Sequence, residues 1–144
     1  MKILIINGPN LNLLEERLNE FYGSNSLNDL EKNIKQEYPQ HNFKFYQSNH
    51  EGEIIEKIQG ANKDFDGLII NPGGYSHTSV AIRDTLELVT IPKIEVHLSN
   101  LAKREDFRHT MLTASNCDGY ISGFGEKSYM AAVYLVEKKF ISQK

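Results

Sequence analysis

The chain has one cysteine, Cys117, in 144 residues. A single thiol excludes an intrachain disulfide and leaves no thiolate cluster for zinc. Cys117 stands at an expected strand start, where a buried, inert thiol is the stronger reading. Long apolar stretches are missing too. The opening run Met1-Lys2-Ile3-Leu4-Ile5-Ile6 stops at Asn7-Gly8-Pro9, too short for the apolar region of a signal peptide and far short of a membrane span. A soluble cytoplasmic protein is expected. Charge of one sign is also lacking. The 16 Lys+Arg stand against 19 Asp+Glu, so no global field attracts nucleic acid or an anionic membrane. Positive charge is local, notably at Lys103, Arg104 and Arg108. Apart from His97, the histidines His41, His50, His77 and His109 are scattered singly, which makes a metal site a weak hypothesis. No repeat, low-complexity tract or linker is visible, and the length suits one domain, 1–144.

The usual cofactor signatures fail as well. Gly123-Phe124-Gly125-Glu126-Lys127-Ser128 approaches a phosphate loop, but Glu126 stands where that motif needs glycine. Pro9 and Asn10 occupy the first turn in place of a G-x-G-x-x-G fingerprint. No Ser/Thr-rich phosphate ligands of the flavodoxin kind lie between Asn7 and the lid's Gly23. Asn7 and Asn71 stand where a phospho-receiver domain would want acids. No cofactor is expected.

What is present is a regular alternation. Apolar runs at Lys2 to Ile6, Phe43 to Gln47, Gly67 to Asn71, Lys93 to His97 and Gly119 to Gly123 read as strands covered on both faces. Between them, Ser26 to Glu37 has helical spacing with Ser26 and Asp29 as a capping pair. Ser48-x-x-Glu51 opens a second helix carrying Ile54, Ile55 and Ile58. Thr78 to Val89 and Glu126 to Phe140 complete the set. Five such alternations predict an α/β fold: a parallel sheet of flavodoxin-like order 2-1-3-4-5, with right-handed crossovers and helices on both faces. Asn10, Asn71 and His97 then emerge on one rim. Leu13 to Asn25 does not fit the scheme, and a polar loop of that length beside a crevice reads as a lid.

Polar groups that can move protons gather at those strand ends. In Glu95-Val96-His97, residues two apart point to the same side, so the carboxylate can reach the imidazole and fix its tautomer. Such an imidazole can deliver a proton to a leaving group. A satisfied polar pair is the plainer alternative; the position at a strand terminus favours the functional one. Ser99-Asn100 followed by Lys103-Arg104-Glu105-Asp106-Phe107-Arg108 looks like a helix start, with N–H groups and the Ser99 hydroxyl suited to a carboxylate or phosphate. Arg104 and Arg108 would stand one turn apart on its face. Taken alone, a solvated charged helix explains them; beside His97, an anionic substrate is at least as good a reading. Asn71-Pro72-Gly73-Gly74-Tyr75-Ser76-His77-Thr78-Ser79 permits close backbone approach to a ligand, with Asn71 and His77 able to bond hydroxyls. The lid offers Arg17 and Tyr22. A phenol ordinarily titrates near about 10, and neighbouring guanidinium groups would favour its phenolate.

Together these motifs resemble the type II 3-dehydroquinate dehydratases over essentially the whole chain. The resemblance rests on Asn7-Gly8-Pro9-Asn10-Leu11-Asn12, the Arg17 and Tyr22-Gly23 lid, the Asn71 to Ser79 segment, Arg83-Asp84, Ile94 to Asn100, and Arg104-Glu105-x-Phe107-Arg108. It implies a cofactor-free dehydration of 3-dehydroquinate to 3-dehydroshikimate in the shikimate pathway of aromatic amino acid biosynthesis. It also implies flavodoxin-like subunits assembled as trimers and then as a dodecamer. By position, Tyr22 would be the base as phenolate, with Arg17 and Arg104 favouring that form. Asn10, with a bound water, would stabilise the enolate, and His97, oriented by Glu95, would protonate the departing hydroxyl. Leu98 and Ser99 would hold the substrate carboxylate, and Asn71, His77 and Arg108 the ring hydroxyls. Asp84 would reach in from a neighbouring subunit. Glu15 and Asn19 in the lid, Ala102 and Ser128 depart from the family pattern. A lyase or hydratase for another cyclic hydroxy-acid, or a binding module without catalysis, are the competing readings.

Overall fold

A computed structural model describes residues 1–17 and 25–142. Strands β1 (Lys2–Asn7), β2 (Asn42–Gln47), β3 (Gly67–Asn71), β4 (Lys93–His97) and β5 (Gly119–Ser122) form one sheet in the order β2-β1-β3-β4-β5. Every pairing is parallel. The helices are α1 (Leu27–Glu37), α2 (Glu51–Gln59), α3 (Ala61–Asp64), α4 (Val80–Glu87) and α5 (Lys127–Ser142). The predicted architecture and strand order hold.

The apolar runs explain themselves through the two-residue period of a strand. Ile3 and Ile5 of β1 join Leu30 and Ile34 of α1 and Met130, Val133 and Val136 of α5 in one core cluster. Leu4 and Ile6 face the other way, into a second cluster with Ile54, Ile58, Ile82 and Leu86. Fully burying each such side chain contributes about 1.5–3 kcal/mol. Both faces of β1 and β3 are therefore sealed. The edge strands are not: β2 and β5 keep exposed or half-buried positions throughout.

Two of the helix starts behave differently from each other. Ser26 caps α1 as expected, accepting from the Asp29 N–H while the Asp29 carboxylate accepts from the Ser26 N–H. At Ser48 the capping reading fails. His50 is the residue that precedes α2. The Ser48 hydroxyl accepts from the His50 N–H at 2.9 Å and donates to Glu53 at 2.5 Å. A local side-chain turn two residues long captures the hydroxyl before it can cap the helix. Glu51 accepts instead from Ser79, which itself caps α4. The helix expected over Thr78 to Val89 is the shorter α4, because Gly73–His77 forms a separate 3-10 turn ahead of it.

The segment read as a lid from Leu13 begins as ordered structure. Leu11–Glu16 is a 3-10 segment kinked at Leu13, with Leu11 and Leu14 buried in the first core cluster. Residues 18–24, including Asn19 and Tyr22, lie outside the described residues. The rest of the chain resumes at Asn25, whose amide donates to Glu126.

Candidate active site

β1 and β3 end side by side, Asn7 in register with Asn71. Beyond them the two loops lock together. The Gly8 N–H donates to the Asn71 carbonyl at 2.8 Å, and a Cβ on Gly8 would lie 2.5 Å from the Pro72 carbonyl oxygen. Only glycine allows that approach. Gly73 turns the chain with φ +61°. Asn10 is held at φ 70°, the sole non-glycine residue in the left-handed region among those described. Its N–H is fixed by Asn49. Asparagine tolerates this conformation better than most side chains, and here it brings Asn10 to the cleft wall.

Beneath the loops runs a buried chain of amide and phenol. Tyr129, from the first turn of α5, donates to the Asn7 side-chain oxygen at 2.6 Å and accepts from the Asn71 amide at 3.0 Å. Asn71 also accepts from the Gly73 N–H. Burial pushes the Tyr129 phenol well above its ordinary value. Ser128 beside it, one of the departures noted above, accepts from the Phe124 N–H and so closes the turn leading into α5.

β4 delivers the imidazole. His97 Nε2 lies 2.8 Å from Glu95 Oε2. Glu95 is fully buried, and His97 is nearly so. The carboxylate has further donors: the Ser76 hydroxyl at 2.8 Å on Oε2, and the Thr113 hydroxyl on Oε1. Both hydroxyls donate to the carboxylate, so Glu95 is an acceptor on each of its oxygens. His97 Nε2 must then carry its proton, leaving Nδ1 for a ligand. The His77 ring stacks on His97 at 6.2 Å and donates from Nδ1 to the Thr110 carbonyl at 2.8 Å. Burial lowers the His77 pKa, partly opposed by that carbonyl bond. Burial thus favours the neutral form of His77 beside the His97 ring.

The cationic wall has a different backbone from the one expected. The stretch after Ser99 is not one helix but two 3-10 turns, Leu101–Lys103 and Asp106–His109, separated by Arg104 in an extended conformation. Turns of three and four residues, broken at Arg104, cannot place Arg104 and Arg108 by helical spacing, and the first turn's amides are used internally. Leu101 donates to Ser122, and Ala102 to Asn100. Both arginines still reach the cleft, from separate turns. Arg104 donates to the Ser99 hydroxyl at 3.2 Å, and Arg108 pairs with Glu105 at 2.5 Å. The Glu105 carboxyl is lowered by a bond from its own backbone N–H and then by Arg108. Asp106 takes no part in these pairs.

A cleft of about 120 Å³ opens here, and its wall includes Asn10, Arg17, Asn71, His77, His97, Leu98, Ser99, Arg104 and Arg108. Three guanidinium groups around so small a space favour an anionic guest. Glu95 lies behind His97 rather than at the surface. Asp84 stands apart on α4, more than half exposed and paired with Arg83 at 3.5 Å. Tyr22 falls outside the described residues. Among those described, no cluster of three His, Cys, Asp or Glu could hold a metal ion, and no helix is long and apolar enough to cross a membrane. Cys117 is half-buried rather than buried as expected, and desolvation pushes its thiol well up. Sequence reading passed over Thr113 and Tyr129. Thr113 sits in an unpatterned stretch, and nothing local marks it; Tyr129 looks like any aromatic on a helix face.

Comparison with known proteins identifies the family. The family model described as Dehydroquinase class II matches residues 1–137. A 3-dehydroquinate dehydratase of Clostridium perfringens is 51% identical over 146 residues, covering 99% of this chain and all of that protein. One from Thermotoga maritima is 48% identical over 142 residues, 96% of each chain. The crystal structure of type II dehydroquinase from Butyrivibrio crossotus superposes with a TM-score of 0.92 at 48% identity, covering 95% of this chain and 97% of that one. The buried Glu95–His97 pair and its ring of arginines thus sit in a chain that belongs to the class II dehydroquinase family.

Proposed function

We propose that the protein removes water from 3-dehydroquinate to give 3-dehydroshikimate, without a cofactor. The observation that carries this reading is the Glu95–His97 pair opening on a cleft lined by Arg17, Arg104 and Arg108. Relatives named 3-dehydroquinate dehydratase support the substrate. A carboxylate-bearing ring matches the cationic wall. Leu98 and Ser99 hold the carboxylate, and Asn71, His77 and Arg108 hold the hydroxyls.

In the reaction, Tyr22 as phenolate takes the C2 proton. Arg17 and Arg104 stabilise its charge before transfer. The electron pair moves onto the C3 carbonyl oxygen, and the enolate is stabilised through Asn10 and a bound water. As the carbonyl re-forms, the C1=C2 double bond forms and the C1–O bond breaks. His97 gives its Nδ1 proton to the departing hydroxyl, which leaves as water. Glu95 keeps its negative charge throughout and compensates the imidazolium. Tyr22 ends protonated and His97 neutral, so one proton passes from Tyr22 to His97 through solvent before the next turnover, with no net uptake or release.

The test is to add 3-dehydroquinate to the purified protein and follow the conjugated enone in the ultraviolet. A steady rise proportional to enzyme is expected. No rise, with substrate binding retained, would leave a binding module; turnover of a different cyclic hydroxy-acid would replace the substrate.

A further inference from the structure

Glu95 touches the His97 imidazole, but most of its bonds go elsewhere. Its Oε2 accepts from His97 and from Ser76, and its Oε1 from Thr113. Ser76, Thr113 and Glu95 are all without solvent exposure. Ser76 Oγ also lies 3.4 Å from His97 Nε2, bracketing the pair. A carboxylate so deeply placed carries a heavy desolvation cost unless donors replace the water it has lost. The two hydroxyls supply that replacement. They come from segments nearly forty residues apart, the turn after β3 and the stretch before β5. Those segments are joined independently, because the Leu112 and Thr113 N–H groups both donate to the Ser76 carbonyl. The backbone junction does not need either hydroxyl.

We propose that Ser76 and Thr113 are positioning residues for the dehydration: their hydroxyls keep the Glu95 carboxylate ionised and oriented, so that His97 holds its Nε2 proton and exchanges only the one on Nδ1. The inference rests on the function proposed above. Other titratable or charged groups face the same pair from every side. His77 stacks on His97 from the turn after β3, Cys117 approaches Glu95 from the turn before β5, and Arg17, Arg104 and Arg108 line the cleft. None of these donates a hydrogen bond to Glu95 among the described residues, and the hydroxyls do.

Thr113→Val removes one hydroxyl and preserves the side chain's branched shape, and Ser76→Ala removes the other. Each is expected to lower kcat by roughly tenfold, the order expected of one lost hydrogen bond to a buried charge, with KM little changed. The alkaline limb of the kcat profile should move to lower pH, because the imidazolium has a weaker counter-charge. Thr113→Ser and Ser76→Thr, which keep a hydroxyl, should restore both quantities. Nitrogen-15 signals of the imidazole in the whole protein give a second readout. Wild type should show the Nε2–H tautomer, and Thr113→Val with Ser76→Ala a mixture. Wild-type kcat and an unmoved pH limb in folded Thr113→Val and Ser76→Ala would overturn the proposal, as would losses that the hydroxyl-bearing variants do not repair. Should the wild-type protein fail to turn over 3-dehydroquinate, the functional reading falls, and the imidazole signals alone decide whether the hydroxyls hold the tautomer.

Discussion

Tyr22 and His97 are assigned opposite tasks, and each needs charged neighbours to hold its working form. A phenolate needs cations, and Arg17 and Arg104 both reach the cleft. An imidazolium needs an anion, and Glu95 lies 2.8 Å from its ring. Substituting either reacting group should separate chemistry from binding. Tyr22→Phe removes a single oxygen, and turnover should vanish while substrate still binds, as measured by titration calorimetry. His97→Ala should lower kcat by roughly 10²–10⁴-fold, the usual contribution of a placed proton donor. Near-normal kcat in Tyr22→Phe would make that ring an anchor and send the search for a base elsewhere. A small effect at His97 would assign the acid to water.

At the scale of elements, the strand ends and α5 are coupled by Tyr129. Its hydroxyl is wholly buried and bonds Asn7 on β1 and Asn71 on β3 at once. A sheet alone would set the height of these two asparagines but not their rotamers. Tyr129→Phe keeps the ring and strands the Asn7 oxygen without a partner. An unsatisfied buried acceptor costs about 1–3 kcal/mol, so the urea midpoint should fall with an unchanged slope. Loss of the Asn71 bond should also raise KM, since Asn71 borders the cleft. An unchanged midpoint would mean that another donor reaches Asn7.

The whole molecule raises the matter of assembly. Asp84 stands on α4, exposed and apart from the cleft of its own chain. We propose that it completes a neighbouring subunit's site in a trimer, and that trimers build a dodecamer. Asp84→Ala should then impair turnover although its own Tyr22 and His97 are intact. A Tyr22→Phe chain and an Asp84→Ala chain, unfolded, mixed and refolded together, should recover activity that neither regains alone. Mixed oligomers without recovery would confine Asp84 to its own subunit or to no role. Separation of mixed species by mass before assay makes that outcome readable.

The five strands, the two-faced burial of β1 and β3, and the adjacency of Glu95 and His97 follow from local pattern. Period-two side-chain alternation and near-continuous apolar runs leave a parallel sheet little freedom, and residues two apart on one strand must share a side. The Ser26 cap is equally local, needing only three residues. Tertiary structure decided whatever depends on competition between distant partners. Glu51 took its bond from Ser79, at the start of another helix, and not from a capping pair with Ser48. Arg104 broke the expected helix into two turns, yet both arginines still reached the cleft. Thr113 came to Glu95, and Tyr129 to two asparagines, across separations that no spacing rule encodes. A buried carboxylate or amide takes its donors from whichever segment the packed core brings within reach, because water cannot serve it there.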